Sequence, residues 1–120
     1  MSTLPILADE QMSAEARAVI DDIRSTRKTE FVNNFWRVLA HDPVQLRRTW
    51  EDVKRVMGPG AIDPLTKEMV YVAVSVANSC DYCIRSHTAA ARAKGMSDAQ
   101  LAELMAVAAL ASANNALAIG

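Results

Sequence analysis

The chain has two cysteines, and both stand in one C-x-x-C, Cys80-Asp81-Tyr82-Cys83. Two cysteines placed at random in a chain this long would fall three apart about once in 60 cases, so the spacing carries information. A C-x-x-C at a helix start puts the first sulfur beside unpaired backbone N–H groups and the positive dipole end, and both favour thiolate. The second sulfur lies one turn on, close enough to resolve a sulfenate or a mixed disulfide. His87 follows Cys83 by four residues on the same helix face, where an imidazole can take the thiol proton and hold the thiolate as an ion pair. Glu68 is the only acid from Leu65 to Ser79, in a segment otherwise apolar almost all round. A carboxylate is rarely fully buried unless it is paired. Buried next to sulfur and imidazole, its pKa would rise and make it a usable base near neutral pH. Each feature also has a plainer explanation. The cysteines can be small buried apolar residues, the histidine a satisfied surface or core residue, and the glutamate a first-turn acid with its head in solvent.

These residues need helices to position them. Residues 1–12 read as an extended arm containing Pro5, and 13–120 as one helical domain. Ser13 caps a first helix whose apolar stripe is Ala16, Val19, Ile20 and Ile23. A second runs from about Phe31 to Ala40 and stops at His41-Asp42-Pro43, because the residue before a proline avoids αR. Asp42-Pro43 starts a third helix with Leu46, Trp50, Val53 and Met57 on one stripe. Gly58-Pro59-Gly60 is the clearest break. Asp63-Pro64 repeats the start signal and favours a buried helix over a strand for the apolar segment Leu65–Asn78. The next helix opens at the cysteines and ends at Gly95. Ser97-Asp98-Ala99-Gln100 is a capping box for the last, whose stripe is Leu101, Leu104, Met105, Ala108 and Ala111 or Ser112. The expected fold class is therefore all-α, a single compact domain of about six helices.

Thirteen Lys and Arg against 14 Asp and Glu give a formal net charge of −1. That balance removes the electrostatic case for nucleic-acid binding, which needs a basic surplus. No apolar run free of strongly polar residues approaches the roughly 20 residues of a membrane span, so no membrane partner is expected. The start, MSTLPILADEQ, lacks a basic n-region and a long apolar stretch, and the expected location is the cytoplasm. No G-x-G-x-x-G or P-loop is present, and no bound cofactor is expected. Trp36 and Trp50 read as core or subunit-contact residues. From Leu104 to Gly120 there is no charged residue, a surface a lone monomer of this size would struggle to cover, so a homo-oligomer is expected.

Glu68, Cys80, Cys83 and His87, at spacings of twelve, three and four, resemble the E…C-x-x-C-x-x-x-H signature of the alkylhydroperoxidase D-like branch of the carboxymuconolactone decarboxylase family. The stretch KEMVYVAVSVANSCDYCIRSHTAAARAKGMSDAQL is similar to that family's core, and NNFWRVLAHDPVQLRRTWEDVKRVMGPGAIDPLTKEM to its approach, so the resemblance covers roughly residues 33–110. It implies an all-helical fold, a trimer or hexamer, and thiol-dependent peroxide reduction or disulfide exchange. The implied catalytic set is Cys80, Cys83, His87 and Glu68, with the glutamate and histidine relaying protons to the cysteines. The implied partners are a hydroperoxide or disulfide substrate and a thiol or dithiol reductant, with a lipoyl or thioredoxin-like protein as candidates. Tyr82 stands where the best-studied peroxidase type has a histidine; it is a supporting candidate and a far weaker base at neutral pH. Three alternatives stand beside this reading. One is a carboxymuconolactone decarboxylase-like protein without peroxidase activity. Another is a zinc site of Cys80, Cys83, His87 and either His41 or Glu68, although structural zinc sites usually draw on two separated ligand pairs. The last is a non-catalytic helical module.

Overall fold

The computed structural model describes residues 3–118, which form six α-helices, one short 3-10 turn and no strand. The helices are α1 (Ala14–Arg27), α2 (Asn34–Leu39), α3 (Pro43–Met57), α4 (Pro64–Ala77), α5 (Asp81–Ala93) and α6 (Asp98–Ala118). The all-α expectation holds. The chain divides into two compact units between Gly58 and Pro59, at the Gly58-Pro59-Gly60 break.

In the first unit, α3 packs against α1 and α2. Ile20 and Ile23 of α1 and Leu46 of α3 are fully buried, each side chain stabilising the fold by roughly 1.5–3 kcal/mol. Trp36 and Trp50 meet edge to face at 5.5 Å inside this core. The Trp50 Nε1–H donates to Asp22 at 2.6 Å, and Lys54 reaches the same carboxylate oxygen at 2.8 Å. Two expectations need correction here. The arm is not extended throughout: Asp9–Gln11 forms a 3-10 turn, and Asp9 pairs with Arg24 at 2.8 Å and Arg37 at 2.9 Å. The second helix starts at Asn34 rather than Phe31, which is 69% exposed.

In the second unit, α4 packs against both α5 and α6. Asp63 caps α4, its side chain accepting from the Thr66 N–H at 2.9 Å, and Pro64 fills the first helical position, where no N–H is needed. Ser97 and Gln100 bond reciprocally, at 3.1 and 2.9 Å, to open α6. Two further expectations fail. The fourth helix is not buried all round: Glu68, Val72 and Ser75 are buried, while Val70 and Val74 are 53% and 54% exposed. Along α6 only Leu104 and Ala108 of the expected stripe are buried. This helix is also 21 residues long and contains an 18-residue stretch with a mean hydropathy of 1.4, enough by length and composition to cross a bilayer. The charge-free run beginning at Leu104 is shorter; Asp98 and Glu103 lie in the first turns and lengthen the helix without cancelling its apolarity. Length and composition alone do not separate a membrane helix from one covered by protein.

Candidate active site

The cysteine pair is delivered by the turn between α4 and α5. Ser79 adopts a left-handed conformation (φ 56), and the Cys80 N–H bonds back to the Ser75 carbonyl at 2.9 Å. This closes α4 in the Schellman manner, satisfying its last carbonyls. Cys80 thereby becomes the N-cap of α5, although its sulfur makes no capping hydrogen bond. Both cysteines are free thiols of intermediate burial.

Glu68 is buried, at 6% exposure. Its Oε2 lies 2.8 Å from His87 Nδ1 on α5. A carboxylate only accepts, so Nδ1–H donates; in the neutral imidazole Nε2 then keeps its lone pair. Lys94, at the C-cap of α5, places its ammonium 3.8 Å from Glu68 Oε1. The two carboxylate oxygens are thus occupied separately, one by an imidazole and one by a cation.

Cys83 differs from the expectation of a thiolate held by His87. Its thiol is pushed up to about 11, first by burial and then by its hydrogen bond to Cys80 and the nearby Cys80 charge. Cys83 is therefore held as a thiol rather than a thiolate in the reduced protein.

Tyr71 was not apparent from the sequence as part of this group. It lies one turn beyond Glu68 on α4, and its ring stacks on His87 with centroids 3.5 Å apart and planes inclined by 20°. Burial, then the Cys83, Cys80 and Glu68 charges, raise its phenol. Its signal was the i, i+3 spacing from Glu68. Lys94 left only the signal of a basic residue at a helix end. Tyr82 is exposed on the first turn of α5. His41, considered as a fourth metal ligand, donates Nε2–H to the Pro5 carbonyl at 2.8 Å. Among the described residues no three His, Cys, Asp or Glu side chains group as a metal-ligand set.

An all-helical fold with a C-x-x-C opening one helix and a buried glutamate reaching it from the helix before defines the class. Residues 45–119 match the carboxymuconolactone decarboxylase family, and the chain belongs to that family. Within it the chain is alkylhydroperoxidase D-like. It is similar to the crystal structure of the alkylhydroperoxidase AhpD core from Rhodospirillum rubrum ATCC 11170, with a TM-score of 0.90 and 61% identity over 98% of this chain and 88% of that one. It is also 40% identical over 73 residues to "Uncharacterized protein 4 in cox locus" of Paracoccus denitrificans, covering 55% of this chain and 66% of that relative.

Proposed function

We propose that the protein is a dithiol catalyst that reduces hydroperoxides or disulfides, cycling Cys80 and Cys83 between thiols and an intramolecular disulfide. The observation that carries this reading is the buried Glu68 carboxylate bonded to His87 Nδ1 at 2.8 Å, on the helix that bears both sulfurs. His87 stands one turn beyond Cys83, so its free Nε2 is the base for the Cys83 proton.

In this reading Cys80, at the N-cap of α5, meets the substrate first. Its thiolate attacks the terminal oxygen of the hydroperoxide. The O–O bond breaks, the alkoxide leaves and becomes the alcohol by taking from solvent the proton Cys80 released on ionising, and Cys80 becomes a sulfenic acid. His87 then takes the Cys83 proton, and Glu68 stabilises the imidazolium formed. The Cys83 sulfur attacks the Cys80 sulfur, and hydroxide leaves as water on taking a proton. One hydroperoxide and two thiols give one alcohol, one water and one disulfide. An external thiol or dithiol returns the pair to the reduced state by exchange. A site that must be re-reduced in each turnover belongs in a reducing compartment, the cytoplasm.

Mixing reduced protein with one equivalent of cumene hydroperoxide tests this. We expect two thiols lost per equivalent and a mass decrease of about two hydrogens, as disulfide closure requires. Unchanged thiol content would overturn the reading. One zinc per purified chain, with both thiols masked, would replace it with a metal site.

A further inference from the structure

The imidazole of His87 carries one described hydrogen bond, from Nδ1 to Glu68. One bond at the edge of a ring does not fix the ring's plane, because the χ2 torsion of histidine is broad and roughly two-fold. A relay needs the plane fixed. If the ring turns, Nε2 leaves the Cys83 side or Nδ1 leaves the carboxylate.

Tyr71 supplies a second constraint at right angles to the first. Its ring lies against the face of the imidazole, with centroids 3.5 Å apart and planes 20° from parallel. Glu68 and Tyr71 are three residues apart on α4, so one helix face provides both the acceptor at the ring edge and the platform under the ring. Tyr71 is itself 39% exposed. Its phenol is raised by burial and by the Cys83, Cys80 and Glu68 charges, which puts it electrostatically within the same group. With the phenol neutral, its ring contributes as a surface rather than as a charge.

We propose that Tyr71 is the positioning residue of the relay: its ring fixes the plane of the His87 imidazole, so that Nδ1 stays on Glu68 while Nε2 serves Cys83. This rests on the proton-relay reading above. The ring is the working part, and the hydroxyl is dispensable. Stacked aromatic pairs contribute an interaction worth roughly a three- to tenfold change in an equilibrium or rate.

The test compares Tyr71→Phe, Tyr71→Leu and Glu68→Gln in the reduced full-length protein. One measurement is the rate of disulfide closure after one equivalent of cumene hydroperoxide at pH 7. The other is the pair of His87 ring ¹⁵N shifts, which report the tautomer. Tyr71→Phe should match wild type in both. Tyr71→Leu should close about three- to tenfold more slowly and show ring shifts moved toward a tautomer average. Equal closure rates for Tyr71→Leu and wild type, with Glu68→Gln slow, would overturn the positioning role and leave the relay standing. If Glu68→Gln also closes at the wild-type rate, the relay itself fails and the role falls with it. If Tyr71→Phe is as slow as Tyr71→Leu, the hydroxyl acts and the ring-positioning proposal is wrong.

Discussion

Cys83 is the residue whose environment departs furthest from what its spacing suggests. An i, i+4 histidine argues for a ready thiolate. Instead, burial and the Cys80 neighbour push the Cys83 thiol up to about 11 from 9.0. In the proposed reaction the step that consumes Cys83 needs a base, and the proposed source is the Glu68–His87 pair. Two outcomes follow. In Cys80→Ala the contribution of the neighbouring sulfur is gone while burial remains, so the midpoint for alkylation of Cys83 by iodoacetamide should fall below about 11 and stay above 9.0. In the reduced protein, folding raises this pKa, so its contribution to stability is complete below about 9.0 and is lost as pH rises through about 11. Denaturation of Cys83→Ala across that range should lack this alkaline decline. Glu68, Cys80, Cys83 and His87 were legible because acid, thiol and imidazole are rare types at informative spacings. Tyr71 was hidden because an aromatic residue in an apolar run is most often packing. The raised Cys83 thiol was hidden because desolvation depends on neighbours from other elements.

At the scale of elements, local chemistry was readable and burial was not. Asp42-Pro43, Asp63-Pro64 and Ser97–Gln100 mark helix starts that the structure contains, because capping is decided within four residues. The apolar face of α4 was misjudged because its pattern does not say which side meets α5 and α6. The buried side holds Glu68 and Ser75 around Val72, and the apolar Val70 and Val74 face outward. A helix that turns carboxylate and hydroxyl inward sacrifices some core burial for a site. The α4–α5 turn does the same with Ser79, a non-glycine residue held at φ 56. Ser79→Gly should remove the left-handed penalty of roughly 1–2 kcal/mol, less the added freedom of glycine in the unfolded chain, for a net gain of about 0.5–1 kcal/mol. Urea denaturation of the reduced protein measures it; a loss of stability would show that the Ser79 side chain contributes more than its backbone costs.

For the whole molecule, the exposed apolar surface is the feature that one chain leaves unexplained. Leu110 and Leu117 of α6 are 63% and 78% exposed, on a helix with no charge after Glu103. Exposed apolar surface along a helix marks contacts with other proteins or with a membrane. We expect a homo-oligomer, a trimer or hexamer, with α6 in the interface. Light scattering at micromolar concentration should give a multiple of the 13.0 kDa chain mass, and Leu110→Glu should lower it. A monomeric wild type would contradict this. The central claim is that Glu68 drives proton removal at the cysteine pair, and its most direct test is single-turnover disulfide closure in Glu68→Gln. At pH 7 the account predicts closure slowed by about 10²–10⁴-fold. Most of that loss should return as the pH approaches the Cys83 value of about 11, where hydroxide replaces the relay. Closure at the wild-type rate at pH 7 would contradict the account and leave Glu68 a structural acid.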